Sequence, residues 1–514
     1  MEFSIEKTWK QYESGKEHNR RIGLYETVRR NERFYRGDQW HNSSSDLPHP
    51  VFNLTRRIAD YLVCAVAPDR LTITYTDDKL PFVDHSATRT TIQKGLRLLS
   101  KNAAYRWKQS QMNALSYRAL MDAVISGDGV FYCWWDTKLQ DGQPFLGDIK
   151  TDVVDNTNLF VADVNRADLQ SQDYLILSGR ATVESLRQEA REAGLDEKEV
   201  QKIVGDDDTD TSSGTLFSSE QEGCEKATYL LCFYREGGEV VFEKSTRNCL
   251  IKRVCTGLKY YPVAYFNWHS TKNSFHGSAP VSDLIANQKY INTAYAMAMK
   301  HMSDTAFSKI IYDKSRIPEW SNEVGEAIAA MGGGNVADAV SVVGVGSMQE
   351  GYLELISNVI ETTKDMMGAT DAALGNEEAN NTSAILALQR VSQISLLQVK
   401  ASFCKCIGEL ATIWADMLCT YCPPERLLAI IDTDGVCADR IDYALLKQEL
   451  LRATVELEDA GQYSSSATVN LLDKLLEKDH LDVIQYLELL PADSITNREY
   501  LIQKIKEKGS MQNE

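Results

Sequence analysis

The chain has 514 residues and a mass of 57.7 kDa, more than one hydrophobic core supports, so several cores or an elongated subunit of several parts are expected. Hydrophobic residues make up 43% and charged residues 25%, an ordinary balance for a folded protein that argues against extensive disorder. The formal net charge of −18 disfavours a protein that grips nucleic acid, because phosphate contacts come from clustered Lys and Arg. It does not exclude a conduit in which a polyanion must slide without sticking.

The first 21 residues are polar and carry no apolar run of the signal-peptide kind, so secretion is not expected. No window approaches the roughly 18 apolar residues of a membrane-spanning helix, and a cytosolic protein is the simplest reading. The 11 cysteines form no even, regular framework, which suits reduced thiols. Cys404 and Cys406 with Cys419 and Cys422 come nearest to a metal signature. The first two stand two apart on a helical pattern and so point to different faces, and buried structural thiols are the better reading.

From the N-terminus, apolar spacing predicts one helix over 5–36 ending at Gly37, a loop over 41–50, and a helix over 54–66 capped by Asn53. A short strand follows at 71–76, then helices at 86–99 and 105–125. Gly127, Asp128 and Gly129 lead into an apolar strand at 130–135. Further strands are expected at 145–154, 174–178, 227–234, 240–243 and 263–268, with one helix over 183–204. The acidic stretch with Asp206, Asp207, Asp208 and Asp210 reads as a solvated loop rather than a carboxylate metal site.

Beyond Pro280 long helices dominate. Val281, Leu284, Ile285, Gln288, Ile291, Tyr295, Ala298 and Met302 make one face of a helix about 33 Å long. A small α/β insertion follows, with a strand at 310–312, a helix at 319–331 and a strand at 340–345. A second helix is expected over 349–367, a polar loop over 371–382, and a long helix over 383–421 ended by Pro423 and Pro424. Helical patterns at 443–457, 467–476 and 481–490 predict an all-helical C-terminal unit.

Phosphate-binding, serine-hydrolase and zinc-protease motifs do not occur, and the eight histidines are scattered. Gly127 and Gly129 begin a dinucleotide pattern that fails at Tyr132. Asp432, Asp434 and Gly435 hint at a calcium loop whose spacing does not fit. No catalytic residue, cofactor or metal site is assigned, although dispersed residues can still assemble an active site.

Several stretches, taken in order, resemble the portal proteins of siphovirus-type tailed phages. They are Asn31 with Glu32, Arg33, Phe34, Tyr35, Arg36, Gly37, Asp38, Gln39 and Trp40; the Gly127 turn and strand; His276, Gly277 and Ser278; Asn287, Gln288 and Asn292; and Ala373, Leu374, Gly375 with Asn380, Asn381, Thr382, Ser383 and Ala384. The resemblance implies an α+β portal fold: a mixed α/β wing (1–280), stem helices (281–308 and 347–370) flanking a small α/β clip (309–346), a tunnel loop (371–382), a long wing helix (383–422) and an α-helical crown (423–514). It further implies a non-enzymatic dodecameric ring, a head–tail connector at a capsid vertex. Double-stranded DNA would pass through it without sequence specificity during packaging and ejection. Glu377, Glu378, Asn380 and Asn381 would approach the DNA. The implied partners are the terminase large subunit, head–tail connector proteins and capsid or scaffolding proteins; assembly in the host bacterial cytoplasm and residence in the virion follow. Another ring-forming adaptor or scaffold of a phage head, or a metal-dependent hydrolase or nuclease using the 206–210 carboxylates, are the alternatives.

Overall fold

The computed structural model describes residues 4–40, 47–68, 70–77, 86–140, 143–206, 225–305, 309–321, 323, 326–343, 350–369, 394–432, 435–448 and 451–458, with short pieces between 469 and 505. The chain is α+β. It opens with two helices, α1 (Ile5–Arg21) and α2 (Leu24–Arg36), where apolar spacing predicted one. Gly23 separates them by taking φ 70°, a left-handed conformation that ends a helix and that only glycine adopts without cost. Helix α3 (Leu54–Val66) is capped as expected, Asn53 Oδ1 accepting from the Arg56 N–H at 3.0 Å.

Strand β1 (Arg70–Asp77) precedes α4 (Ser86–Gln109) and α5 (Met112–Ser126). The interruption expected after residue 99 is absent, because Asn102 and Ala103 continue the buried stripe of α4 and the Asn102 amide donates to the Ala429 carbonyl at 2.7 Å. Next come β2 (Asp128–Gln140), β3 (Leu146–Val154), β4 (Leu159–Val161), β5 (Tyr174–Thr182), α6 (Val183–Glu192), α7 (Glu197–Val200), β6 (Lys226–Glu236), β7 (Glu239–Ser245), β8 (Leu250–Cys255) and β9 (Val263–Asn267). Strands β4 and β8 were not anticipated, and the helix expected over 183–204 is two short ones.

The second half contains α8 (Pro280–Thr305), β10 (Lys309–Tyr312), β11 (Val340–Val343), α9 (Glu350–Met366), α10 (Leu397–Tyr421), β12 (Leu428–Asp432), β13 (Gly435–Asp439) and β14 (Leu451–Glu458). Where described, 319–331 is irregular rather than helical. There the chain folds back on itself, the Met331 N–H donating to the Arg316 carbonyl at 2.7 Å over a buried Ile317. Helix α10 begins after a turn at Ser395 and Leu396; the earlier part of the long helix expected from Ser383 lies mostly outside the described residues.

The all-helical expectation for the C-terminal part fails at 428–439 and 451–458, while 443–448 is helical as expected. Strands β12 and β13 pair as a hairpin in which Asp432 faces Gly435, so Asp432 and Gly435 belong to a hairpin rather than a calcium loop. Strand β14 pairs antiparallel with β1 from Arg70↔Glu458 to Asp77↔Leu451. The sequence of β14, RATVELE within its eight residues, alternates as a strand does. The helical reading lost because a partner strand far away in sequence supplies the missing backbone hydrogen bonds.

Two larger sheets organise the N-terminal half: β3-β2-β9, and the antiparallel five-stranded β4-β5-β6-β7-β8. One extended core joins α3, α4 and α5, the β3-β2-β9 sheet and α10. Helix α10 is buried on nearly every side, as a helix apolar all round must be. Its Trp414 donates to Thr151 Oγ1 at 3.1 Å, and its Ala411 carbonyl accepts from the Tyr75 hydroxyl at 2.7 Å. Gly408 lets β14 lie against the helix, since a Cβ there would stand 2.8 Å from the Ala453 carbonyl oxygen. Trp9 and Tyr12 of α1 seal one face of the five-stranded sheet against Phe160 and Ile176.

Candidate functional site

Helices α8 and α9 form an antiparallel pair, because Ala294 meets Tyr352 while Asn287, earlier in α8, meets Thr363, later in α9. The Tyr352 hydroxyl donates to the Ala294 carbonyl at 3.1 Å and Asn287 Nδ2 donates to Thr363 Oγ1 at 3.1 Å. At 26 residues, α8 is about 39 Å long. The chain between the two helices pairs β10 with β11, from Lys309↔Val343 to Tyr312↔Val340.

The near end of this helix pair is deeply anchored, while the far end carries exposed apolar residues beside buried Ala296, Ala298 and Ile356. Val281, Leu284, Ile285 and Ile291 are buried. Further along α8, Met297 is 51% exposed and Met302 54%, while on α9 Leu353 and Leu355 are exposed. In the ribbon, Ile310 and Ile311 are both exposed although neighbouring strand residues point to opposite faces, and Val342 is 59% exposed. A two-stranded ribbon bare on both sides is marginal by itself in water, and this much apolar surface marks an association site.

The anchor is a buried polar junction at the entry to α8. Asp128, fully enclosed, accepts four hydrogen bonds: from Asn267 Nδ2 (3.0 Å) and the Gly277 N–H (2.7 Å) on Oδ1, and from Asn156 Nδ2 (2.9 Å) and His276 Nδ1 (2.7 Å) on Oδ2. Burial alone would raise this carboxyl; the hydrogen bond and charge of His276, with Asn156 and the Gly277 N–H, outweigh it and hold Asp128 below its ordinary value. Gly127, at φ 99°, makes the close approach possible, because a Cβ there would stand 2.7 Å from the Gly277 carbonyl oxygen. One side of α8 is held a second time. Gln288 and Asn292 bond each other, Gln39, Phe52 and Thr55, all within 3.2 Å. Gln39, His276, Gln288 and Asn292, which carried part of the resemblance, thus meet in two buried networks that fix α8 to the body. Asp128 and Asn156 stand far from His276 in sequence, and no spacing marked them as its partners.

Glu377, Glu378, Asn380 and Asn381, the expected DNA-facing residues, lie outside the described residues. The chain leaves from Ala369 and resumes at Ile394. Ala369 and Leu396 both sit in the main core, and the Gly368 carbonyl accepts from the Tyr61 hydroxyl at 3.0 Å, so the two ends of this segment are firmly held.

Of the residues considered for other chemistry, Asp207, Asp208, Asp210 and Asp434 lie outside the described residues, and Asp206, Cys406, Cys419 and Cys422 are occupied structurally. Asp206 accepts from Arg180 Nη1 at 2.6 Å, from the Thr228 hydroxyl at 2.9 Å and from the Thr228 N–H at 2.8 Å, which leaves it holding a strand edge. Cys406, Cys419 and Cys422 are buried, and burial pushes the Cys419 thiol up to about 12 and Cys422 up to about 11. Among the described residues no group of three or more His, Cys, Asp or Glu is placed to hold a metal ion, and no helix is long and apolar enough to cross a membrane.

Among solved structures, the chain is similar to one described as "Virion of native gene transfer agent (GTA) particle", at 10% identity and TM-score 0.37, over 86% of this chain and 89% of the other. It is similar also to "Neck of empty GTA particle computed with C6 symmetry", at 11% identity and TM-score 0.37, over the same shares. No curated protein matches the chain. Residues 247–458 match the family described as phage P22-like portal protein. That stretch runs from β8 through β14 and includes α8, α9, the ribbon between them and α10. Residues 247–458 therefore carry the likeness to a phage P22-like portal protein domain.

Proposed function

We propose that twelve copies of this chain close into a ring at one vertex of a phage capsid. Double-stranded DNA enters through it during packaging and leaves through it at ejection. In this reading α8 and α9 are the stem, 309–346 the clip, 1–280 with 383–422 the wing, and 423–514 the crown. The segment 371–382 faces the bore, where Glu377, Glu378, Asn380 and Asn381 approach the duplex. The clip end is the docking platform for the terminase large subunit and later for head–tail connector proteins, and capsid or scaffolding proteins meet the outer body. The ring assembles in the host bacterial cytoplasm and remains in the virion. The chain itself hydrolyses nothing; the terminase moves the DNA.

The observation that carries this reading is the set of exposed apolar residues at the far end of the helix pair. A stem whose methionines and leucines face solvent, ending in a ribbon exposed on both faces, supports repeated side-by-side packing of identical subunits, which buries both flanks of every copy in a closed cyclic assembly. The acidic balance of −18 supports a bore that repels phosphate rather than binding it. Native mass tests the ring. Twelve copies of 57.7 kDa give about 692 kDa in one closed species; a protein that stays monomeric under every assembly condition, with its stem apolar residues in water, would overturn the reading.

A further inference from the structure

We propose that the Gln39–Gln288–Asn292 amide cluster is a register lock, which holds α8 at one axial position against α2 and α3 and excludes positions one helical turn away. Three side-chain amides from two distant stretches of chain are buried together: Gln288 and Asn292 are each 2% exposed and Gln39 is 9% exposed. Asn292 Nδ2 donates to Gln39 Oε1 at 2.6 Å, and Gln39 Nε2 donates to the Phe34 carbonyl at 2.9 Å and to Asn53 Oδ1 at 3.2 Å. Gln288 Nε2 donates to Asn292 Oδ1 at 2.9 Å and to the Phe52 carbonyl at 2.8 Å. Gln288 Oε1 accepts from the Thr55 N–H at 3.0 Å and from its hydroxyl at 3.2 Å.

The spacing is what makes this a lock rather than a set of contacts. Leu284, Gln288, Asn292 and Ala296 succeed one another at four-residue intervals on the buried side of α8, so a slide of one turn moves each into its neighbour's place. A slide in one direction puts the Gln288 amide where Leu284 sits in the main core and puts Ala296 opposite Gln39, whose amide oxygen loses its donor. The opposite slide puts Asn292 where Ala296 is enclosed and Leu284 opposite the Thr55 N–H and Phe52 carbonyl. Either way an amide is buried without partners, a large penalty compared with any shift of apolar packing. The apolar face and the Asp128 junction oppose the same slides, which would set Lys289 in the place of Ile285 or Asn287 in that of Ile291, and the amides add the polar penalty to them. Buried polar groups that fix the alignment of packed helices are the best attested use of such costly residues.

The lock concerns the folded subunit and holds whether or not copies close into a ring, so its test does not depend on the proposed function. Asn31 Nδ2 donates to Ser282 Oγ at 2.8 Å, which makes residues 31 and 282 reporters of the native register, and residues 31 and 286 reporters of a position one turn away. The full chain carrying Asn31→Cys with Ser282→Cys, or Asn31→Cys with Ala286→Cys, is oxidised and the linked peptides are quantified by mass spectrometry. With the amides intact, only the 31–282 disulfide forms. With Gln39→Met, Gln288→Met and Asn292→Leu together, the 31–286 disulfide rises by about tenfold or more, and thermal stability falls because the Thr55 N–H and the Phe52 carbonyl lose their partner. A cluster that merely stabilises predicts the 31–282 link alone in the replaced protein, and that result would overturn the proposal. Abundant 31–286 links in the chain with intact amides would overturn it equally. If the triple replacement does not fold, Gln39→Met alone, which leaves α8 unaltered, serves with the same two outcomes.

Discussion

Asp128 illustrates how one carboxylate organises several segments. It is buried, yet four donors from three other stretches of chain converge on it. Asp128→Ala strands those donors, and the expected loss is about 3–5 kcal/mol, read from urea denaturation at neutral pH. Because the folded carboxyl lies below its ordinary value, its contribution is present above the unfolded range near 3.9 and is lost as pH falls through the folded value. Denaturation midpoints followed from pH 5 to pH 2 should therefore fall less steeply in Asp128→Asn than in the parent. Asp122 has the opposite sign. Burial first, then the charges of Asp155 and Glu32 against the weaker help of Arg118, push it up to about 7. Its ionisation opposes folding above that value and is relieved as pH falls towards 4. Asp122→Asn should accordingly stabilise the protein at pH 8, less at pH 5, and have little effect near pH 4. The gain is bounded by about 4 kcal/mol and is smaller in practice because Asp122 retains contact with solvent. Equal effects at pH 8 and pH 4 would contradict this assignment.

At the scale of elements, packing decided what local pattern left open. The apolar spacing of α1 and α2 continues across residues 22–23, and only the left-handed Gly23 turns the chain. Strand β14 exists because β1 is there to pair with it, and α10 accepts it because Gly408 leaves room for the Ala453 carbonyl. Gly408→Val should push β14 off the helix. A loss of about 1–3 kcal/mol is expected, with faster amide hydrogen exchange confined to β1 and β14; faster exchange over α10 alone would locate the strain elsewhere. Helices α8 and α9 needed no such rescue. Their apolar faces run without Pro or Gly through most of α8 and α9, and both were legible from spacing to within a few residues.

For the whole molecule, the exposed apolar residues at the far end of the helix pair are the surface that the proposed assembly would bury. The proposed tunnel segment belongs to this scale, since it is held at Ala369 and Leu396 in the main core and its role exists only in a ring. Deleting residues 371–382 should leave the native mass of the assembly unchanged and reduce packaged DNA several-fold in an infection or packaging assay. Packaging at the parental level by this deletion would remove Glu377, Glu378, Asn380 and Asn381 from the proposal.

Sequence alone determined the α+β character, two long helices with a small insertion between them, the Asn53 cap, and the resemblance carried by Gln39, His276, Gln288 and Asn292. These are local properties, set by side-chain periodicity, turn chemistry and the order of short motifs along the chain. Tertiary structure decided that Asp128 and Asn156 complete the site of His276, that Asp206 serves Arg180 and Thr228, and that 451–458 is a strand. Each of these depends on a partner far away in sequence, and a buried hydrogen bond or a β-ladder carries no local signature of where its other half lies.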